Sequence, residues 1–106
     1  MKYFIDTHDR AKGSFPKEEL TDTGFIAIYG GFDKACESEG GLALGAHVNL
    51  KEGRAFCFTA GPDVEAIRKA HDAIGLPYDS ITDVRRVTGV DLREAADIVK
   101  GAQAVG

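Results

Sequence analysis

The sequence has 106 residues and a mass of 11.3 kDa, which is the size of one domain and excludes an enzyme with separate cofactor and substrate lobes. Its 43% of hydrophobic residues exclude a disordered chain. Its 17 acidic residues outnumber 13 basic ones, and the net charge of -4 argues against nucleic acid as a partner.

Neither a membrane span nor a secretory leader is predicted. No segment approaches the roughly 18 apolar residues that a span needs, and the N-terminus lacks the apolar core of a signal peptide. The two cysteines, Cys36 and Cys57, are too few for a disulfide framework. We therefore expect a cytoplasmic protein with reduced thiols and no membrane partner.

The first half of the chain predicts a strand, a helix and a hairpin. Residues 2–8 form the strand, and residues 9–13 form a polar loop. Ser14 and Pro16 predict the start of a helix that ends at two glycines, 40 and 41. One face of this helix carries an apolar stripe, formed by Phe25, Ile28, Tyr29, Phe32, Ala35 and Cys36.

The hairpin that follows has alternating residues and a glycine in its turn. A three-residue loop over residues 51–53 would pair Val48 with Phe56 and His47 with Cys57. This register predicts that Phe56, Phe58, Leu44 and Val48 face the helices. His47 and Cys57 would then lie opposite each other on the open face.

The remaining elements complete a ferredoxin-like βαββαβ fold, with two helices on one face of a four-stranded antiparallel sheet. A second helix begins near Asp63 and ends before Gly75, and an edge strand covers residues 80–87. The domain spans residues 1–87. Residues 88–106 form a tail with a short helix, indicated by the capping spacing of Asp91 and Glu94 and by apolar Leu92, Ala95, Ala96 and Val99.

Four polar residues form the strongest candidate site. Asp6 and His8 share one face of the first strand, beside the predicted pair of His47 and Cys57. Two imidazoles, a thiolate and a carboxylate suit Zn(II), Ni(II) or Cu(II). The same pattern is also explained without a bound metal, if Cys57 is a small buried residue and His47 a solvated residue of the sheet. His71, inside the apolar stripe of the second helix, fits a histidine in the core as well as a ligand.

No enzyme motif is present: phosphate loops, paired CxxC, HExxH and GxSxG are all absent. Cys57 and His47 would also suit a nucleophile and its base, but nothing indicates an oxyanion hole. Either an anion-binding site or a solvent-exposed edge strand would explain Arg54, Arg85 and Arg86.

Several segments resemble small bacterial ferredoxin-like proteins described as nickel-binding or nickel-responsive. These segments are KYFIDTH at residues 2–8, AHVN at 46–49, GRAFC at 53–57, AGP at 60–62, EA at 65–66, HDAIGLP at 71–77 and ITDV at 81–84. The likeness covers about the first 87 residues, and its hairpin-to-helix part is the most specific.

The resemblance implies a ferredoxin-like fold, divalent metal binding with nickel as the named ion, and self-association. The family's histidines and cysteine correspond here to His8, His47, Cys57 and His71. Two departures reduce the supply of ligands, because Leu76 stands where the family often has histidine and Asp9 follows a single histidine.

We therefore expect a protein that binds a divalent transition metal for sequestration, delivery or sensing. Its candidate metal ligands are His8, His47, Cys57 and His71, with Asp6 as an orienting group or fifth ligand. We expect a homodimer joined through the open sheet face. The alternatives are a dimeric α+β barrel acting on a small organic molecule, with His47 as its acid/base group, and an oligomeric scaffold.

Overall fold

The computed structural model describes the backbone of residues 1–105 and all their side chains except those at 98, 99 and 102–105. The elements in chain order are β1 (Lys2–Asp9), a 3-10 turn (Arg10–Lys12), α1 (Asp22–Ser38), β2 (Leu42–Asn49), β3 (Arg54–Gly61), α2 (Val64–Ala73), β4 (Ser80–Val84) and α3 (Gly89–Val105). The sheet is antiparallel in the order β2-β3-β1-β4, with α1 and α2 packed on one face. The predicted ferredoxin-like fold is confirmed.

Helix α1 begins later than the sequence pattern predicts. Thr21 caps it, with its hydroxyl accepting a hydrogen bond from the Gly24 amide at 3.0 Å. The Ser14 hydroxyl instead accepts a bond from the Asp9 amide at 2.8 Å. The prediction of a helix start at Ser14 was therefore wrong, because this side chain closes the end of β1. Residues 13–20 fold over that end as a loop, called the covering loop below.

The predicted hairpin register was wrong by one residue. Val48 pairs with Ala55, His47 with Phe56, and Ala46 with Cys57. The loop spans four residues, 50–53, and Gly53 adopts the left-handed conformation at φ 69°. Since side chains alternate along a strand, a shift of one residue moves His47 to the face opposite Cys57.

The assignment of the two sheet faces was also inverted on β3. Ala55, Cys57 and Thr59 are buried beneath the helices, whereas Phe56 is 42% exposed. Small residues fit beneath the aromatic stripe of α1, because its large rings already fill the layer between helix and sheet. The other surface, called the open face below, carries Tyr3, Ile5, His47, Phe56 and Phe58, as the strand pairing shows.

The core lies between the sheet and helices α1 and α2. Its buried members are Phe4, Phe32, Cys36, Ile67 and Ala70. Helix α2 begins at the cap residue Asp63 as predicted, and Gly75 at φ 63° follows its end. The core therefore covers the strand face on which Asp6, His8 and Cys57 lie.

Strand β4 and the tail differ in detail from the expectation. β4 ends at Val84 instead of residue 87. The tail contains α3, whose capping bonds join Thr88 and Asp91 rather than Asp91 and Glu94. The Val99 side chain lies outside the described residues. The division at residue 87 stays a prediction. Among the described residues, no helix has the length and apolarity required to cross a membrane.

Candidate metal centre

Three metal-ligating side chains meet beneath the helices. Adjacent strands β1 and β3 contribute them, with Asp6 paired to Cys57 and His8 two residues further along β1. One donor atom from each of Asp6, His8 and Cys57 lies within 4.8 Å of the other two. All three residues are at least 95% buried. The alternation of β1 thus aims a carboxylate and an imidazole at the thiol of the neighbouring strand.

A second imidazole reaches the same carboxylate from α2. His71 is fully buried, and its Nε2 lies 3.3 Å from Oδ2 of Asp6. Apart from this contact with each other, neither atom has a hydrogen-bond partner among the described residues. A buried carboxylate oxygen and ring nitrogen without partners are costly, and they suit a cation bound beside them.

Backbone carbonyls orient both rings in the same way. Nδ1 of His8 lies 2.8 Å from the Pro77 carbonyl and 3.1 Å from that of Ser14. Nδ1 of His71 lies 2.8 Å from the Ile67 carbonyl. Because carbonyls only accept, each Nδ1 carries the proton and donates it. The Nε2 atoms therefore point toward Asp6, and carbonyl support of this kind is common behind metal-binding histidines.

The charges of the cluster follow from burial and pairing. Burial disfavours the ionised carboxylate, but the neighbouring His71 and His8 rings outweigh it and lower the pKa of Asp6. Burial likewise opposes protonation of His8, yet the 2.8 Å bond to Asp6 and its charge raise the pKa of His8. The cluster therefore contains an Asp6–His8 ion pair when the ring is protonated.

The thiol of Cys57 is neutral at ordinary pH. Burial raises its pKa, and the negative Asp6 raises it further. A cation in the cluster reverses this balance, because a coordinating thiol loses its proton. Metal ligation thus requires the proton of Cys57 and the Nε2 proton of His8 to leave.

The donor set suits a borderline divalent ion. Nitrogen, sulfur and carboxylate donors are typical ligands for zinc and for the later first-row metals. Bonds of about 2.0–2.3 Å separate tetrahedral donors by roughly 3.3–3.8 Å. The three donor atoms lie within 4.8 Å of one another, close to this range, and the 2.8 Å contact of His8 with Oδ1 of Asp6 is shorter than this range. Asp6, His8 and Cys57 would hold the ion, with His71 directly beside them.

The structure brings together four of the five residues singled out from the sequence. His47 is the exception, since it is exposed on the open face beside Phe56. His71 lies in the core, and it is also in contact with the cluster. Its 4.5 Å ring separation from Phe32 shows how the apolar stripe and the cluster share one layer.

Sequence reasoning missed Arg10, which anchors the covering loop. Its guanidinium donates to the Pro16 carbonyl at 3.0 Å and to the Leu50 and Lys51 carbonyls at 3.3 Å each. It also lies 5.4 Å from the centre of the Phe15 ring. Arg10 thereby ties the loop above His8 to the hairpin turn. The only signal in the sequence was an arginine in an otherwise unremarkable polar loop.

Tyr29 was predicted only as part of the core stripe. Its hydroxyl is buried without a hydrogen-bond partner among the described residues, although the Gly45 backbone lies close by. Burial, with a smaller contribution from Cys57, raises the pKa of Tyr29 to about 12. The phenol therefore keeps its proton and is available as a donor.

Comparison with known proteins supports the resemblance drawn from the sequence. Residues 44–84 match the model of a family described as "Nickel responsive protein SCO4226-like". A crystal structure of SCO4226 from Streptomyces coelicolor A3(2) matches with a TM-score of 0.68 and 21% identity, covering 81% of this chain and 99% of that one. No curated protein sequence matches this chain. The family resemblance and the fold are thus confirmed.

Proposed function

We propose that this chain, whose residues 44–84 match the nickel-responsive family, binds one divalent transition-metal ion in the buried cluster beneath its helices. The observation that carries the proposal is the convergence of Asp6, His8 and Cys57 donor atoms within 4.8 Å of one another. The unpartnered Oδ2 of Asp6 and Nε2 of His71 add support, because a cation would satisfy both.

The four buried residues have different roles in this proposal. His8 and Cys57 supply nitrogen and sulfur ligands, and Asp6 supplies an oxygen ligand. The two negative charges of Asp6 and Cys57 neutralise the ion, which lowers the cost of burying it. His71 holds the second oxygen of Asp6 or joins the ion as a further nitrogen ligand. His47 is left out, because it lies across the sheet.

Nickel is the ion that we favour, on the printed description of the matching family. The donor set also suits zinc and copper, so a comparison of metals is part of the test. The role that we infer is sequestration, delivery or sensing. A thiol ligand needs reducing surroundings, which supports a cytoplasmic location.

Titration calorimetry of chelator-stripped protein with Ni(II), and with Zn(II) in parallel, tests this proposal. We expect one ion per chain with a dissociation constant in the micromolar range or tighter. Asp6→Asn and Cys57→Ala are expected to weaken binding more than tenfold. Heats no larger than those of a buffer blank for both metals would refute the proposal.

Two control variants make the titration specific for the cluster. Cys36→Ala removes the other buried thiol, which belongs to the core and is not one of the converging donors. His47→Ala removes an exposed imidazole on the opposite face. Both are expected to bind metal as the parent protein does. Thermal melts of every variant separate lost ligands from lost folding.

The open face supports a second part of the proposal, which is a homodimer. Phe56 is 42% exposed, and Tyr3 and Phe58 stack beside it with ring centres 5.9 Å apart. Aromatic residues on an unpaired sheet face are typical of an interface. Light scattering is expected to give twice the chain mass, and Phe56→Arg is expected to give a monomer. A monomeric parent protein at micromolar concentration would contradict this part.

A further inference from the structure

Helix α3 lies outside the packed part of the molecule. It has 17 residues, a length of about 26 Å, and it projects from a molecule that measures 59 by 31 by 23 Å. The close contacts between elements, as far as the structure describes them, join the sheet with α1 and α2 and do not include α3. Helices in proteins gain most of their stability by packing an apolar side against another element, so α3 needs a partner surface.

One side of α3 is suited to such packing. Its apolar stripe contains Leu92, Ala95 and Ala96, and Leu92 is 67% exposed. Val90 lies on the opposite side, because two positions are about 200° apart around a helix. Arg93 and Lys100 are two turns apart along the same edge of the stripe. The stripe therefore combines small apolar residues and one leucine with a basic edge.

An apolar groove on the domain matches this stripe. It lies between the first two turns of α1 and strand β2, and its volume is about 380 Å³. Its apolar lining consists of Phe25, Ile26, Tyr29, Ala46, Val48 and Leu50, and it is called the α1–β2 groove below. Ile26 is 68% exposed, and Asp22 places a negative charge on the α1 side of the groove. Grooves of this kind bind the apolar side of an amphipathic helix.

The charges beside the groove and the stripe are complementary. Among the residues that the structure describes, neither Asp22 nor Arg93 forms an ion pair. A helix docked with Leu92 against Ile26 brings the basic edge of its stripe to the α1 side, where Asp22 lies. The small side chains of Ala95 and Ala96 allow the helix backbone to approach the groove closely.

The α1–β2 groove of the same chain is out of reach of this part of α3. Helix α3 follows β4 at one edge of the sheet, whereas the groove lies beside β2 at the other edge. Three strand spacings of about 4.8 Å separate these edges, and α1 and α2 cover the face between them. Residues 85–88 span at most about 14 Å, which is too short for a path around that helix layer to Leu92 in the first turn.

A second copy of the chain places a groove within reach. Two sheets stacked through their open faces lie about 10 Å apart. A twofold axis along the strands then sets β4 of one copy opposite β2 of the other, because it reverses the order of the strands. Helix α3 is long enough to pass the edge of the second sheet and enter the groove behind it.

We propose that α3 of each chain docks its Leu92 stripe into the α1–β2 groove of a second copy, so that exchanged helices join the two chains. This inference rests on the homodimer in the proposed function and adds a second, reciprocal contact to the open-face interface. Helix α3 lies outside residues 44–84, the segment that matches the family.

Disulfide cross-linking between two differently tagged full-length chains tests the docking. One chain carries Ile26→Cys and the other carries Leu92→Cys, and both keep the buried native cysteines, whose background is measured in the parent protein. After mixing and mild oxidation with diamide, we expect the heterodimer to be the main cross-linked product. Val90→Cys is the matched control, since this residue is 55% exposed on the other side of α3. Its yield with Ile26→Cys is expected to be at least tenfold lower.

The strength of the dimer gives a second measurement that needs no added cysteine. In light scattering over a dilution series, Leu92→Asp is expected to raise the dissociation constant of the dimer at least tenfold. Val90→Asp is expected to change it less than twofold. Both residues are exposed within one chain, so circular dichroism is expected to show an unchanged fold in both variants.

The outcomes separate this inference from the proposals on which it rests. A dimeric parent protein without a cross-link between positions 26 and 92 of different chains overturns the helix exchange and leaves the open-face dimer in place. Cross-linking of Leu92→Cys mainly to itself also overturns it, because the α3 helices then pair with each other. A monomeric parent protein overturns both the dimer and the exchange. Metal binding is measured separately and is not changed by any of these results.

Discussion

The affinity of the cluster for nickel is expected to rise steeply with pH, and the steepness follows from the protons that the ion displaces. The raised pKa of Cys57 keeps its thiol protonated through neutral pH, so binding releases one proton there. The raised pKa of His8 keeps its ring charged at pH values above 6.5, which is the ordinary pKa of histidine. At any pH below the raised pKa of His8, metal binding therefore releases a second proton. Asp6 releases none, because its lowered pKa leaves it ionised.

Each displaced proton multiplies the binding constant by about ten per pH unit, which is about 1.4 kcal/mol. We therefore expect about a hundredfold gain between pH 5.5 and 6.5. Once the pH exceeds the raised pKa of His8, only the Cys57 proton remains to be displaced. The gain then falls to about tenfold per unit.

Chelator competition across pH 5.5–8 measures this dependence directly. In Cys57→Ser the slope is expected to fall by one proton, because a serine hydroxyl keeps its proton. Cys36→Ser keeps the full slope, since that thiol lies outside the donor set. Binding that does not vary with pH below 6.5, or a Cys57→Ser variant with the parent slope, would refute the proposed ligands.

Three further outcomes are expected. The Asp6–His8 pair is expected to stabilise the metal-free protein most between pH 3.8 and 6.5. In stronger acid Asp6 becomes protonated, and at higher pH His8 loses its charge, so the contribution of the pair is lost on both sides. Urea unfolding at several pH values checks this, and a rise in stability from pH 6 to 9 would contradict it. Arg10→Lys loosens the covering loop and is expected to speed metal dissociation about tenfold in stopped-flow chelation, whereas the exposed control Arg68→Lys leaves the rate unchanged; equal rates in both would exclude Arg10 as the anchor. Phe32→Ala in the core is expected to cost about 3–5 kcal/mol of unfolding free energy, and a loss below 1 kcal/mol in urea titration would contradict the observed packing.

Much of the fold was readable from local patterns. The strand alternation, the helical stripe of α1, the Asp63 cap and the turn glycines each depend on neighbouring residues only, and together they define the βαββαβ order. The start of α1 could not be predicted, because the Ser14 hydroxyl can accept a hydrogen bond either as a helix cap or from the end of β1. Only the folded chain brings the Asp9 amide to its hydroxyl.

The candidate site likewise could be predicted only in part from local patterns. The sequence by itself placed Asp6 and His8 on one strand face, because the two-residue period of a strand is a property of the backbone. It also placed His71 on the buried stripe of α2.

Only the tertiary structure decided which residues meet these side chains. One additional residue in the hairpin loop placed His47 and Cys57 on opposite faces of the sheet, because a shift of one residue inverts the side chains of a strand relative to its partner. His47 lies on the open face as predicted, whereas Cys57 lies beneath the helices. The choice of the buried face depended on the fit between the large rings of α1 and the small residues of β3. Local patterns specify the direction of a side chain relative to its own element, whereas the packing of the elements determines which donor atoms share a site.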